Sequence, residues 1–93
     1  MPIKSFADAI TEGAFRGKAT KGFPSDLRRV AQRKLAMVHA AIRLDDLRAP
    51  PNNKLEKLTK DRAGQHSIRI NDRFRVCFRQ DGDAHDVGIV DYH

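Results

Sequence analysis

The sequence predicts an α+β fold: a small single domain in which two N-terminal helices pack on one face of a twisted antiparallel β-sheet. Helical spacing of apolar residues is confined to the first half of the chain and strand-like alternation to the second, which is typical of this class. Of the 93 residues, 40% are hydrophobic and 32% are charged, a composition that favours folding over disorder. We therefore expect one domain over residues 1–93 with one hydrophobic core.

The N-terminal half is predicted to contain a short strand followed by two helices. Residues 3–6 alternate as in a strand, and a helical pattern then begins at Ala7 and fades at Gly13. The second helix is predicted over residues 25–42, where apolar side chains recur at steps of three and four. Residues 49–53 include two consecutive prolines and cannot continue a helix. The polar side of the second helix is expected to face solvent or a partner and carries Arg28, Arg29 and Arg33.

The C-terminal half is predicted to form antiparallel strands, with a hairpin over residues 67–79 and a last strand over residues 86–91. A two-residue turn at Asn71 and Asp72 would place Ile70 opposite Arg73, on the same face of the sheet. A three-residue loop instead pairs Ile70 with Phe74 and Ile68 with Val76. We prefer this register because it gathers the apolar side chains on the helix-covered face. The opposite face is then expected to be basic, and it carries Arg69, Arg75, Cys77 and Arg79.

The charge balance indicates an anionic partner. Eighteen Lys and Arg against twelve Asp and Glu give a net charge of +6, which is compatible with nucleic acid, an acidic protein or an anionic membrane. No apolar stretch has the length of a signal peptide or a membrane span, and Cys77 is the single cysteine, so we expect a cytoplasmic protein. The four histidines lack the spacing of a zinc motif, so neither a metal site nor a cofactor is predicted.

The last three residues, Asp91, Tyr92 and His93, carry side chains suited to RNA chemistry. Metal-free RNA cleavage needs a group that orients or deprotonates a 2′-hydroxyl, a proton donor for the departing 5′-oxygen, and cations around the phosphate. His93 is a suitable proton donor near neutral pH, Tyr92 can hydrogen-bond or stack on a base, and Asp91 can fix the imidazole. The same tail also fits a frayed strand end, and the arginine face a solvated surface.

Three segments together resemble the HigB-type toxins of the RelE/ParE superfamily. They are residues 54–58, residues 61–78 with Ser-Ile-Arg-Ile-Asn and Arg-Val-Cys-Phe, and the terminal Asp-Tyr-His. The resemblance implies a RelE-like fold and a bacterial type II toxin that cuts translated mRNA in the ribosomal A site by 2′-hydroxyl attack without metal. It also implies contact with 16S rRNA and silencing by a HigA-like helix-turn-helix antitoxin.

The resemblance also implies roles for individual residues. His93 matches a catalytic histidine, Asp91 and Tyr92 its neighbours, and Arg75 an arginine of the second hairpin strand. Glu56 stands where some members have a second active-site histidine, so a carboxylate is a candidate base. Residues 58–61 read Leu-Thr-Lys-Asp in place of the common Leu-Lys-Gly-Asp. The expected RNA-binding residues are Lys57, Lys60, Arg62, Arg69, Asn71 and Arg73.

This set of residues predicts a site with two walls, the terminal Asp-Tyr-His on one side and the face of Arg69 and Arg75 on the other. Two other functions stay open from the sequence. One is a non-catalytic inhibitor that binds a protein target on the same scaffold, as gyrase-directed ParE relatives do. The other is a basic RNA-binding module, whose binding would fall steeply with salt while no cleaved product appears.

Overall fold

The computed structural model describes residues 1–18 and 21–92 of the chain. The two helices are α1, Ala9–Phe15, and α2, Arg28–Ala40. Asp8 caps α1, because its carboxylate accepts a hydrogen bond of 2.7 Å from the backbone N–H of Thr11, satisfying a donor that the first turn leaves unpaired. Within the described residues, no helix combines the length and apolar character needed to cross a membrane.

The second helix is shorter than the sequence predicts. A 3₁₀ turn over Ser25–Leu27 precedes it, and Ala41 after its end is extended. Ile42, expected on the apolar face, is instead 85% exposed. The carboxylate of Asp46 accepts hydrogen bonds of 3.0 Å from the N–H groups of Ile42 and Arg43. This local side-chain cap fixes a turn where the apolar spacing alone indicated another helical residue.

In the described part of the chain, four antiparallel strands form one sheet in the order β1-β2-β3-β4. They are β1, Glu56–Lys57, β2, Gln65–Arg69, β3, Phe74–Asp81, and β4, Asp83–Asp91. Helices early and a sheet late confirm the predicted α+β, RelE-like fold. The two-residue strand β1 was not predicted, because it is too short to display alternation.

The predicted first strand, residues 3–6, is present only as two isolated bridges. Ile3 pairs with Ala84 and Phe6 with Val87, and both bridges are parallel to β4. The N–H of Lys4 donates to the carbonyl of Ala84 at 2.8 Å. The segment therefore covers the edge of β4 without becoming a regular strand, and it runs parallel where the sequence predicted an antiparallel sheet.

The preferred hairpin register is confirmed. Ile68 pairs with Val76, and the N–H of Ile70 donates to the carbonyl of Phe74 at 2.9 Å. Ile68, Val76 and Phe78 are fully buried in the same core as α2, and Phe74 packs partly buried against it. The register places the apolar side chains of β2 and β3 under the helices, as alternation requires.

The opposite face of the hairpin departs from the prediction of an open basic surface. Arg75 is 9% exposed and Cys77 is 1% exposed. Residues 54–62 lie against them, and one guanidinium nitrogen of Arg75 donates to the carbonyl of Lys54 at 2.6 Å. Of the four residues expected on this face, the other two keep access to solvent: Arg69 is half-buried and Arg79 is exposed. The sequence interpretation missed this covering segment.

A buried polar pair links α2 to the proline-containing segment after it. The Nζ atom of Lys34 donates to Oδ1 of Asn53 at 2.6 Å, and the Nδ2 atom of Asn53 donates to the carbonyls of Leu47 and Ala49. Burial lowers the pKa of Lys34, and the nearby Arg33 and Arg69 lower it further. These bonds fix the start of the segment that leads into β1.

Candidate active site

A polar cavity of about 440 Å³ lies between β1 with its following turn and the end of β4. Glu56 and Lys57 line it from β1, Lys60 and Arg62 from the next 3₁₀ turn, and Tyr92 from the residue after β4. The cavity thus brings together five of the residues that the sequence predicts as catalytic or RNA-binding. Its size is in the range of small-molecule sites.

Arg75 lies behind the cavity wall and fixes the approach to β1. Its Nε donates to Oγ of Ser67 at 2.7 Å, and one Nη donates to the carbonyl of Lys54 at 2.6 Å. The same Nη lies 4.0 Å from Oε2 of Glu56. The guanidinium is therefore held by Ser67 and the carbonyl of Lys54, and it places a positive charge beside Glu56, the carboxylate that the sequence suggests as a base.

Lys54 and Ser67 are the residues of this arrangement that the sequence interpretation missed. Lys54 has a backbone φ of +43°, in the left-handed region that L-residues seldom adopt, and its carbonyl accepts from Arg75. Ser67 is fully buried, although its residue type suggested an ordinary polar strand position. The one available signal is cross-strand geometry, because residues 67 and 75 share a face in the confirmed register.

Tyr92 reaches the cavity because the end of β4 is tied to the hairpin loop. Its N–H donates to the carbonyl of Arg73 at 2.5 Å, and its side chain is 39% exposed. A phenol in this position presents both a ring face and a hydroxyl to whatever the cavity holds.

Asp91 is on the other side of the strand end, which corrects the prediction that the last three residues form one wall. It lines a separate cavity together with Arg73 and Phe74. Its carboxylate accepts from Arg73 at 2.9 Å from Nε and 2.7 Å from one Nη, and this hydrogen bond raises the pKa of Arg73. The physical reason is alternation, because neighbouring residues of an extended chain point to opposite faces. His93 lies outside the described residues.

The predicted RNA-binding residues of the hairpin loop also lie away from the cavity. The Oδ1 atom of Asn71 accepts from the N–H groups of Arg73 and Phe74, at 2.9 Å and 2.7 Å, and so closes the loop in the way asparagine favours. Arg69 forms an ion pair with Asp72. Arg69, Asn71 and Arg73 therefore have structural contacts in the loop, whereas Lys57, Lys60 and Arg62 line the cavity.

Two side chains near the cavity have pKa values shifted from their ordinary values. His66 pairs with Lys57 across β1 and β2, and burial, followed by the charge of Lys57, lowers the pKa of its imidazole. Burial raises the pKa of the Cys77 thiol, which keeps the thiol protonated and unreactive. Among residues 1–18 and 21–92, no cluster of His, Cys, Asp and Glu has the grouping of a metal site.

Comparison with known proteins assigns the chain to a family. The family described as RelE-like toxin of type II toxin-antitoxin system HigB matches residues 4–93. The chain belongs to this family of HigB-like toxins. Membership in a type II toxin–antitoxin system implies an antitoxin partner.

Individual relatives support the same assignment. The chain is 39% identical over 56 residues to the protein named Toxin HigB-1 of Vibrio cholerae, a match that covers 60% of this chain and 59% of that protein. It is 34% identical over 77 residues to an uncharacterized protein of Haemophilus influenzae, covering 83% of this chain and 76% of the relative. The HigB-like resemblance read from the sequence is thereby confirmed.

Proposed function

We propose that this HigB-like toxin is a ribosome-dependent, metal-independent mRNA endoribonuclease that acts in the cytoplasm as a single domain over residues 1–93. The observation that carries the proposal is the cavity, in which two carboxylates and three cationic side chains of residues 56–62 meet the phenol of Tyr92. These are the group types that general acid–base cleavage of RNA requires.

In the proposed reaction, the carboxylate of Glu56 accepts the proton of a 2′-hydroxyl, and the 2′-oxygen attacks the adjacent phosphorus. The bond from phosphorus to the 5′-oxygen breaks, and His93 gives a proton to that oxygen. The products are a 2′,3′-cyclic phosphate and a 5′-hydroxyl. Protons and electrons balance without a metal ion or a cofactor.

Charge stabilisation is assigned to the cations around the cavity. Negative charge grows on the non-bridging oxygens as the phosphorus becomes five-coordinate. Lys57, Lys60 and Arg62 line the cavity, and Arg75 lies 4.0 Å from Glu56. Arg75 contributes positive potential and holds Glu56 in place, since its Nε and one Nη are committed to Ser67 and Lys54.

The remaining predicted residues receive supporting roles. Tyr92 is positioned to stack on a base or hydrogen-bond to the ribose, since aromatic side chains bind unstacked RNA bases. Asp91 acts from outside the cavity: it holds Arg73, whose carbonyl accepts from the N–H of Tyr92. The proposed partners are mRNA in the ribosomal A site, 16S rRNA and a HigA-like helix-turn-helix antitoxin.

The test is the chemistry of the cut ends. Purified toxin is added to translating ribosomes, and the new mRNA ends are mapped. We expect cuts within translated codons that leave a 2′,3′-cyclic phosphate and a 5′-hydroxyl, and a loss of about 10²-fold or more for His93→Ala. His85→Ala, in a strand away from the cavity, is the matched control and should cleave normally.

Other outcomes would overturn the proposal. Intact mRNA together with inhibited DNA supercoiling would support a ParE-like inhibitor of a protein target. Binding of RNA without any product would support a basic RNA-binding module.

A further inference from the structure

A second cationic cavity lies between the end of α1 and the start of α2. It has a volume of about 250 Å³ and is lined by Lys18, Arg28 and Arg29, together with Ser25 and Gln32. We call it the helix groove. No carboxylate is among the described residues that line it, whereas the wall of the active-site cavity includes Glu56 and Asp61. The helix groove therefore concentrates positive charge without internal neutralisation.

The two cavities share no residue. The active-site cavity is built from β1, the turn after it and Tyr92, and the helix groove from the helices and their connection. The mechanism proposed above makes no use of Lys18, Arg28 or Arg29. These three cationic side chains lie close together and take no part in the proposed chemistry. Because like charges at close range cost free energy, we expect them to bind an anionic ligand.

The lining groups are those that bind phosphate. Arginine, lysine, serine and glutamine supply most side-chain contacts to nucleic-acid phosphates, and two arginines provide forked donors for the oxygens. The amide of Gln32 is held at the groove by a 3.4 Å hydrogen bond to the carbonyl of Phe15. Gly17 leaves room for it, since a Cβ there would lie 2.9 Å from the Gln32 Nε2 atom.

The polarity of the groove favours RNA over an acidic protein. Stable protein interfaces centre on buried apolar or aromatic anchors. The carbon-only side chain that lines the groove within the described residues is the methyl group of Ala14. Phosphate contacts require no such anchor and are dominated by charge.

We propose that the helix groove is a second RNA site, which binds a backbone phosphodiester outside the cleavage cavity. The proposal extends the proposed function, because a toxin that acts on ribosome-bound mRNA needs to grip RNA beyond the scissile phosphate. The recognised chemistry is the RNA phosphodiester, whether from a single strand or from a folded A-form stem.

The test uses binding alone, without ribosomes, so that it can be read whether or not the toxin cleaves. Fluorescence anisotropy measures affinity for a labelled single-stranded RNA and for a labelled RNA hairpin over a range of salt concentrations. The variant Arg28→Gln/Arg29→Gln is compared with Lys4→Gln/Arg33→Gln, which removes the same charge at exposed positions outside both cavities.

We expect the groove variant to bind about tenfold more weakly at low salt. The slope of log affinity against log salt concentration should become shallower, because two phosphate contacts are lost. The expected change is about 1.4 for the single strand, at roughly 0.7 per contact, or about 1.8 for the hairpin if the stem is the ligand, at roughly 0.9 per contact. The control should change affinity by less than about threefold. Arg29→Gln alone, at an exposed position, should lower the RNA affinity about threefold. This single variant replaces the double variant if the double variant is unfolded.

Equal losses in the groove variant and the control would overturn the proposal, as would a native chain that does not bind either RNA at low salt. Unchanged RNA binding with a loss of antitoxin affinity would overturn it too, and would assign the groove to an acidic protein segment. Loss of cleavage in cavity variants that still bind RNA through the groove would leave this inference intact.

Discussion

Burial changes the role that the sequence suggested for Arg75. Its position in the strand register was predicted correctly, and its charge suggested an exposed phosphate ligand. The structure buries it against Ser67 and the carbonyl of Lys54, so its donors are largely used within the protein. A buried charge of this kind is stable only when its hydrogen bonds are satisfied.

Replacing Ser67 with alanine should therefore destabilise the fold. The substitution removes the acceptor for Arg75 Nε and leaves a buried cationic donor unpaired, at a cost of about 1–3 kcal/mol. Urea unfolding followed by circular dichroism measures the change. Ser25→Ala, at an exposed position, is the control and should stay within about 0.5 kcal/mol of native. Equal stabilities for Ser67→Ala and native protein would contradict the assigned contact.

The residue types in the sequence predicted part of the candidate site. The direction in which each side chain points decides which of them line the cavity. Glu56, Lys57, Lys60, Arg62 and Tyr92 meet in one cavity. Asp91 does not, because alternation at the end of β4 turns it away from Tyr92. The sequence contained that information, since adjacent strand residues alternate, but the three residues were interpreted as one unit.

At the scale of elements, strong patterns were predicted well and short contacts poorly. The register of β2 and β3 followed from five apolar residues that had to share one face. Strand β1 has two residues, and the 3₁₀ turns have no periodicity to detect. Strand β1 and the turns depend on tertiary hydrogen bonds, such as that from the Leu58 N–H to the Gln65 carbonyl at 2.9 Å. Such bonds cannot be predicted from the local sequence.

The pairing of β1 with β2 predicts a pH dependence of stability. Burial and Lys57 lower the pKa of His66 below its ordinary value of 6.5 in the folded chain. As the pH falls below 6.5, the unfolded chain binds this proton before the folded chain does. The free energy of unfolding should therefore decrease with falling pH in this window, and it should be unaffected by His66 above it.

Urea unfolding of native protein and His66→Gln between about pH 5 and pH 8 checks this sign, because histidine titrates in that range. The variant should show a shallower decline below pH 6.5. Lys57→Gln should give an intermediate slope, since it removes the second cause of the shift. A decline of the same steepness in native protein and His66→Gln would rule out this origin.

Over the whole molecule, which carries a net charge of +6, two clusters of cationic side chains line cavities of different composition. The active-site cavity combines cations with carboxylates and a phenol, as acid–base chemistry needs. The helix groove has cations and neutral donors, as binding needs. The helices cover the core face of the sheet, and β1 forms the edge of the sheet beside β2, so a small fold supports both cavities.

We propose that the cavity beside β1 performs RNA cleavage. Its most direct test is the rate of mRNA cleavage on translating ribosomes by Glu56→Gln, compared with Glu12→Gln. Glu12 is an exposed carboxylate paired with Arg16, so the two variants change the net charge equally. We expect a loss of about 10²-fold or more for Glu56→Gln and a native rate for Glu12→Gln. Native cleavage by folded Glu56→Gln would contradict it.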